Sequence, residues 1–188
     1  LGINKINEYA KMFGLDKETG VDISGELHGI IPSPELKLKS SPDDPIWRIG
    51  DTYNTSIGQG YFLATPIQMA VYATAIASNG QIIKPRIVNN LAQEKNEEQN
   101  IQIQKVEIPE SYFKIVKEGM RMAVTEGTAQ GLSMPDIKIA AKTGTAEAGR
   151  KHTHSWVIGF FPYENPKYVF TVVLEKGPAG NLVGAPAL

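Results

Sequence analysis

The strongest constraint on the fold is a series of three β-rich runs in the last third of the sequence. Residues 137–143, 155–161 and 168–174 hold many β-branched and aromatic residues, and turn residues such as Glu164-Asn165-Pro166 separate them. Strands joined by such short connections pair antiparallel, because parallel pairing needs a long crossover. The pattern therefore predicts an antiparallel meander.

Helical patterns precede these runs. Apolar residues recur at the spacing of one helix face over residues 3–13, 65–79 and 109–126. Thr65-Pro66 supplies an N-cap and a first-turn proline to the second helix. Each predicted helix is followed closely by a glycine: Gly14, Gly80 and Gly127. Helices followed by an antiparallel sheet predict an α+β fold.

Other stretches show no clear helical or strand period. Residues 19–47 are rich in glycine and proline and predict a long surface loop. Residues 56–60 form a glycine-flanked turn, and residues 82–88 predict a short strand that Pro85 places partly at an edge. Asn, Gln, Glu and Lys dominate residues 89–105, which predicts a solvated loop or hairpin.

Composition narrows the classes of function. The 188 residues are 41% hydrophobic and 21% charged, which is typical of a globular domain. The net charge of −1 argues against a basic nucleic-acid binder and a polybasic membrane-surface module. The sequence contains no cysteine, which excludes disulfides, cysteine nucleophiles and cysteine zinc sites. No run approaches the roughly 18 apolar residues of a membrane span.

The two ends suggest a piece of a longer chain. Leu1-Gly2-Ile3 leads directly into the first helical pattern without an initiator methionine or a leader. The last residues, 184–188, stop where Pro186 could begin another helix. We therefore expect residues 1–188 to be an internal fragment of a longer protein that forms the C-terminal portion of a single domain.

The clearest chemical motif is Lys142-Thr143-Gly144, predicted to lie at the end of the first β-rich run. Gly144 would let a substrate backbone approach the strand, while Lys142 supplies a cation and Thr143 and Thr145 supply hydroxyls for a carboxylate. The N–H after the glycine can donate to a developing oxyanion. The tripeptide alone also fits an edge-strand lysine beside a bulge glycine.

The surroundings of the motif carry a family resemblance. Residues 140–147 and 154–160 resemble the active-site strand and its hairpin partner in class B penicillin-binding proteins. Residues 50–60, 65–70 and 13–22 resemble further stretches of the same family. The similarity fails only across the polar stretch described above, and it is strongest to the transpeptidases of cell elongation.

This resemblance implies the penicillin-binding protein and serine β-lactamase-like fold, an antiparallel sheet flanked by helices, incomplete in this chain. It implies a peptidoglycan D,D-transpeptidase that forms a serine acyl-enzyme on D-Ala-D-Ala stem peptides and that β-lactams inhibit. Lys142, Thr143, Gly144 and Thr145 would form this chain's part of the catalytic site. Lys142, Thr143 and Thr145 would bind the substrate carboxylate, and the Thr145 N–H would contribute to the oxyanion hole.

The resemblance also implies a setting for the whole protein. The domain would be periplasmic or extracytoplasmic and tethered to the inner membrane by an N-terminal helix outside this chain. Other proteins of cell-wall elongation would be its partners. Two alternatives remain open: a serine β-lactamase or penicillin sensor on the same fold, and a non-catalytic scaffold domain.

This sequence departs from the family at two motifs. The Ser-x-x-Lys nucleophile and the Ser-x-Asn or Ser-x-Asp motif of the family both precede the segment that Leu1 begins. The string Ser111–Lys114 matches Ser-x-x-Lys in the wrong order, and we interpret Ser111 as a helix N-cap and Lys114 as exposed. Ser41-Pro42-Asp43 is interpreted as a turn. We therefore expect this chain alone not to be acylated.

Three further side chains are weaker candidates. His152 and His154 are two apart, so a strand would place both on one face, but no further metal ligands lie nearby. We therefore predict no metal site and no cofactor. His154 leads into the strand opposite Lys142 and is a candidate substrate contact. Glu147 is either a second such candidate or an exposed carboxylate at the end of the strand.

Overall fold

The structure is a computed structural model that describes residues 2–88, 102–149 and 152–177. The helices in the described part are Ile3–Met12 (α1), Pro34–Ser40 (α2), Ile49–Ser56 (α3), Pro66–Ala77 (α4) and Glu110–Thr125 (α5). The strands are Gln81–Ile83 (β1), Ile103–Lys105 (β2), Ala140–Glu147 (β3), Thr153–Phe161 (β4) and Tyr168–Gly177 (β5). A short 3₁₀ turn covers Gln130–Leu132. The mixture of helices and antiparallel strands confirms the α+β prediction.

The last three strands form the predicted antiparallel meander in the order β3-β4-β5. Gly144 of β3 lies opposite Trp156 of β4, and Ser155 of β4 lies opposite Leu174 of β5. Among the described strands β3 pairs with β4 alone. One edge of β3 is therefore left without a strand partner in the described part of the chain.

The core is built where β3 begins. Ala140 packs with Phe160, with Ile76 of α4 and with Met120 of α5. The next residue, Ala141, joins a second cluster of buried side chains: Val124, Ala129, Leu132, Ile139 and Val157. Because successive residues of a strand point to opposite faces, the start of β3 is buried on both faces. This burial holds the strand rigidly just before its Lys-Thr-Gly motif.

The three predicted helices are confirmed as α1, α4 and α5. The Thr65 side chain accepts from the Gln68 N–H, and Gln68 accepts from the Thr65 N–H, which completes a capping box at α4. Positive φ angles at Asn79 and Gly80 end that helix. The predicted cap of α5 is wrong, because the helix begins at Glu110, and Ser111 lies inside its first turn.

Two short helices lie in segments for which the sequence predicted no helix. Helix α2 interrupts the predicted loop of residues 19–47, with Ser33 as N-cap and Pro34 in its first turn. Helix α3 follows soon after and has Asp51 accepting the Arg48 N–H at 2.7 Å. Helices of this length complete at most two turns and show little apolar periodicity, so local caps and tertiary contacts determine them.

The strand predicted over residues 82–88 is partly wrong. Strand β1 ends at Ile83, and the N–H groups of Ile87 and Val88 donate to the Asp22 carboxylate at 2.7 and 2.9 Å. Strand β2, which forms the last three residues of the polar stretch, pairs antiparallel with β1. Residues 89–101 lie outside the described part of the chain.

A buried lysine joins α2 to α3. The Lys37 side chain is only 3% exposed, and its ammonium donates to the Asp51 carboxylate at 2.8 Å and to the Ile46 carbonyl at 3.0 Å. The Asp44 carboxylate lies 3.2 Å from the same ammonium. The pKa of Asp51 is held below its ordinary value, first by the Arg48 N–H and then by Lys37. The two short helices are therefore connected by charge rather than by an apolar core.

This network predicts a pH-dependent contribution to stability. Because the pKa of Asp51 in the folded state lies below 3.8, its carboxylate stabilises the fold above about pH 4. That contribution is lost as the pH falls through the folded pKa. In thermal melts of the intact protein from pH 3 to 7, we expect Asp51→Asn to melt lower than wild type at neutral pH and to vary less with pH.

The matched control is Asp43→Asn, because Asp43 is exposed in the adjoining turn. Its melting temperature should follow that of the wild type across the whole pH range. An Asp51→Asn variant that melts like the wild type at pH 7 would contradict the role given to the network.

Candidate functional site

The Lys-Thr-Gly motif lies within β3 and not at its end. The strand continues past Gly144 to Glu147, which is paired in register with Thr153 of β4. The prediction that the motif ends the strand is therefore wrong, because β4 is long enough to pair with all eight residues of β3. The motif consequently lies in the middle of β3, beside the edge of the strand that does not pair with β4.

Strand alternation divides the motif between the two faces of the sheet. Lys142 and Gly144 lie on the face that carries Trp156, whereas Thr143 and Thr145 lie on the face that carries Val157. The Lys142 side chain is exposed, and Thr145 is half-buried. A ligand lying along the edge can therefore meet the cation from one face and the hydroxyls from the other.

Thr143 is the most buried side chain of the motif. It is 5% exposed, and its hydroxyl lies 2.6 Å from the hydroxyl of Thr128, which follows α5. A threonine hydroxyl donates one hydrogen bond and accepts two. Thr143 can therefore accept from Thr128 and still donate to a ligand at the edge.

The outer edge of β3 carries its own pattern of donors and acceptors. The Thr145 carbonyl and the Glu147 N–H point away from β4, since both bond to the side chain of Gln59. In an antiparallel ladder the N–H and C=O of one residue share a side, and alternate residues share it with them. The N–H groups of Thr143 and Thr145 therefore face the same edge.

The Lys142 ammonium also reaches this edge. It donates to the Thr143 carbonyl at a distance of 2.5 Å. The edge thus places a cation beside two N–H donors that point away from β4, an arrangement that suits an anionic group at the end of an extended backbone. In the described part of the chain, no serine hydroxyl is hydrogen-bonded to Lys142.

Gln59 is the site residue that the sequence analysis missed. Its Nε2 donates to the Thr145 carbonyl at 2.9 Å, and its Oε1 accepts from the Glu147 N–H at 3.3 Å. The turn that presents it has positive φ at Gly58 and Gly60, and the Gln59 N–H donates to the Asn54 carbonyl at 2.9 Å. The available signal was a polar residue set between two glycines.

Gly144 is not required by backbone conformation. Its φ is not positive, and β3 keeps an unbroken register with β4 on both sides of it. A Cβ built there would lie 3.6 Å from the Cβ of Trp156, which is an ordinary van der Waals contact. The alternative that a bulge demands glycine at this position is therefore wrong.

The weaker candidates occupy the far end of the sheet. His154 lies opposite Ala146, and its Nδ1 accepts the Lys176 N–H from β5 at 3.2 Å. The Glu147 side chain is exposed, as is His152. Within residues 2–88, 102–149 and 152–177, no group of three or more His, Asp or Glu side chains is arranged to hold a metal ion.

The two strings that match other family motifs in the wrong place, Ser41–Asp43 and Ser111–Lys114, lie at a turn and in α5. Ser41 hydrogen-bonds Tyr61 at 2.5 Å, and the residues after it form the predicted turn. Lys114 is exposed on α5, as expected.

A cavity of about 330 Å³ lies away from the motif, between the end of α1, α4 and the sheet of β1 and β2, and none of its lining residues belongs to β3.

Comparison with known proteins adds an independent observation. The family model for the penicillin binding protein transpeptidase domain matches residues 1–188. The chain is 30% identical over 200 residues to the peptidoglycan D,D-transpeptidase MrdA of Acinetobacter baumannii, a match that covers 96% of this chain and 29% of that protein. It is 31% identical over 207 residues to MrdA of Haemophilus influenzae, covering 99% and 32%.

Solved structures that superpose on this chain belong to the same class of protein as these relatives. The penicillin-binding protein PBP2 from Helicobacter pylori superposes with a TM-score of 0.84 at 32% identity, over 100% of this chain and 34% of that one. Pseudomonas aeruginosa PBP2 superposes with a TM-score of 0.82 at 32% identity, over 99% and 42%. The chain spans about a third of the length of the curated relatives named above.

The hydrogen bond that joins the buried Thr143 hydroxyl to the exposed Thr128 gives a test of the geometry beneath the motif. Replacing Thr128 by valine leaves the Thr143 hydroxyl without its partner, and an unsatisfied buried hydroxyl costs about 1–3 kcal/mol of unfolding free energy. Denaturant unfolding of the intact protein measures this loss. The same exchange at Thr125, exposed in the last turn of α5, should change stability by about 0.5 kcal/mol or less. Equal effects of the two variants would contradict the pairing.

Proposed function

Because this chain belongs to the penicillin-binding protein transpeptidase family, we propose that it is part of a peptidoglycan D,D-transpeptidase that cross-links cell walls. The observation that carries the proposal is the outer edge of β3. There the Lys142 ammonium, 2.5 Å from the Thr143 carbonyl, lies along one edge with the Thr145 N–H. The fold of the chain agrees, since it superposes on PBP2 structures.

The substrate proposed for this edge is the D-Ala-D-Ala end of a peptidoglycan stem peptide. An extended peptide can pair with an open strand edge through its backbone, and Gly144 leaves room beside that edge. The terminal carboxylate would bind the Lys142 ammonium and the hydroxyls of Thr143 and Thr145. A charge-assisted bond of this kind is about twice as strong as a neutral one. His154 and Glu147 would border the substrate at the far end of β3.

The reaction proceeds through a covalent intermediate on a serine that we place outside this chain. The serine Oγ attacks the penultimate carbonyl and loses its proton, the peptide bond to the last D-Ala breaks, and that D-Ala leaves as the protonated amine. An amine of a neighbouring stem then attacks the ester, and the serine recovers its proton. The intermediate divides one difficult step into two easier ones.

Two groups of this chain act on that step. The Thr145 N–H donates to the carbonyl oxygen as negative charge develops on it, a contribution worth about 3–4 kcal/mol in comparable acyl-transfer sites. The Lys142 ammonium belongs to the proton network of the serine and neutralises the carboxylate beside it. Both groups are already directed to the edge before a ligand binds.

The setting of the protein is proposed from its relatives. A solved structure shows Helicobacter pylori PBP2 in complex with MreC, and another neighbour belongs to a peptidoglycan synthase complex. We propose elongation proteins of this kind as partners, with the domain on the outer side of the inner membrane. No helix in the described part of the chain is long and apolar enough to cross a membrane.

The proposed function predicts that the intact protein is acylated by β-lactams through Lys142. We expect Lys142→Ala to abolish labelling by a fluorescent penicillin while the melting temperature stays within a few degrees, because the side chain is exposed. Intact mass after incubation with penicillin provides the second measurement. Residues 1–188 alone should gain no mass. Near wild-type labelling of Lys142→Ala would remove this lysine from the mechanism.

The matched control is Lys138→Ala, which removes an exposed lysine near the start of β3 and its ion pair with Glu164. This variant should be labelled like the wild type. A wild-type protein that hydrolyses β-lactams rapidly would be a β-lactamase, and one that is never acylated would be a scaffold; either result overturns the transpeptidase proposal.

Gly144 supplies a separate prediction about the strand edge. A valine side chain fits the backbone conformation but crowds the approach of a substrate along β3. We expect Gly144→Val to lower the acylation rate severely and to keep the wild-type melt. Measuring both quantities on one sample separates the outcomes, because a lost melt would show that glycine is needed for folding.

A further inference from the structure

The Gln59 side chain pairs with β3 as a neighbouring strand would. Its amide donates to the carbonyl of residue 145 and accepts from the N–H of residue 147, which is the pattern of a strand backbone placed along that edge. The two partners are 86 and 88 positions away in sequence. The contact therefore depends on the tertiary fold and not on a local turn.

We propose that Gln59 is a positioning residue that ends the substrate-binding edge of β3 and orients the Thr145 N–H. The inference rests on the proposed function. With Gln59 in place, the free length of edge runs only from Thr143 to Thr145, about 7 Å of strand. This length admits the last two residues of a peptide and turns the residues before them away from the sheet.

The direction in which the substrate runs explains how Gln59 could select between a peptide end and an internal stretch of peptide. A peptide that runs antiparallel to β3 with its carboxylate near Lys142 carries its upstream residues toward Glu147. Gln59 occupies the backbone groups that those residues would need for pairing. The site therefore favours the free end of a peptide over an internal stretch of extended chain.

The same contact holds the reacting edge in place. Gln59 bonds on both sides of Ala146, so the peptide groups between Thr145 and Glu147 are kept in the orientation of a regular strand. A carbonyl oxygen has two lone pairs, so the Thr145 carbonyl can accept from a substrate amide while Gln59 remains bound. The Thr145 N–H lies in the preceding peptide group, and the regular strand geometry that Gln59 supports turns it toward the same edge.

The support behind Gln59 is rigid. Its own N–H is bound to the last turn of α3, and glycines with φ of 77° and 76° flank it. Helix α3 is tied in turn to α2 through Asp51 and the buried Lys37. Helix α3 and the turn after it therefore place the Gln59 amide against β3.

The test uses the intact protein and compares Gln59→Ala with Gln59→Glu. Stopped-flow acylation by a chromogenic β-lactam separates the binding constant from the acylation rate constant. Gln59→Ala should lower the acylation rate constant by up to about 100-fold, as expected when a reacting group is displaced, with a much smaller change in binding. Thermal melts on the same samples report the folded fraction.

Gln59→Glu provides a readout that a purely structural role would not change. At neutral pH its carboxylate can only accept, and it faces the Thr145 carbonyl, so acylation should be slow. In acid the protonated carboxyl can donate to Thr145 and accept from Glu147 as the amide does. The rate relative to wild type should therefore recover as the pH falls for Gln59→Glu and stay constant for Gln59→Ala.

The matched control is Gln102→Glu, the same exchange at an exposed side chain next to β2, which should follow the wild type at every pH. Wild-type acylation rates in Gln59→Ala would overturn the inference, as would a Gln59→Glu rate without acid recovery. An acylation loss explained entirely by a lower folded fraction would also overturn it. If the wild-type protein itself is not acylated, the proposed function fails, and the two failures are thereby distinguished.

Discussion

The pairing of β3 with β4 is the interaction on which the rest of the structure depends. It satisfies one side of β3 along the whole strand and leaves the other side without a strand partner in the described part of the chain, where the side chains of Gln59 and Lys142 contact it. The first residues of the strand, Ala140 and Ala141, are buried in two core clusters. The exposed half that begins at Lys142 therefore extends from a fixed base. A strand edge that is anchored in this way can bind a ligand without first becoming ordered.

Charge and capping, rather than a large apolar core, organise the segment that meets this edge. The Lys37 ammonium contacts the Asp51 and Asp44 carboxylates and the Ile46 carbonyl. These contacts join α2 to α3, and both helices are too short to be stable alone. The second of these helices ends in the turn that carries Gln59. A stretch that lacks periodicity in sequence thus serves to place one amide against β3.

The strand alternation explains why a compact motif can bind a carboxylate. Lys142 projects from one face and Thr145 from the other, yet both can turn toward the edge between the faces. The ammonium does so through its flexible stem and reaches the Thr143 carbonyl. The hydrogen bond with the exposed Thr128 fixes the side-chain orientation of the buried Thr143, which lies between Lys142 and Thr145. The motif therefore combines a cation on a long side chain with a backbone that is paired along its whole length with β4.

The sequence by itself determined the elements whose signals are local. The meander followed from β-rich runs at close spacing, and α4 followed from Thr65-Pro66 at its start and Asn79-Gly80 at its end. The Lys-Thr-Gly motif identified the chemistry because its residue types carry it wherever the strand lies. Only the tertiary structure decided the full length of β3, the burial of Thr143 and the place of Gln59. These depend on partners far along the chain, and neither residue spacing nor composition encodes which distant backbone groups a side-chain amide will meet.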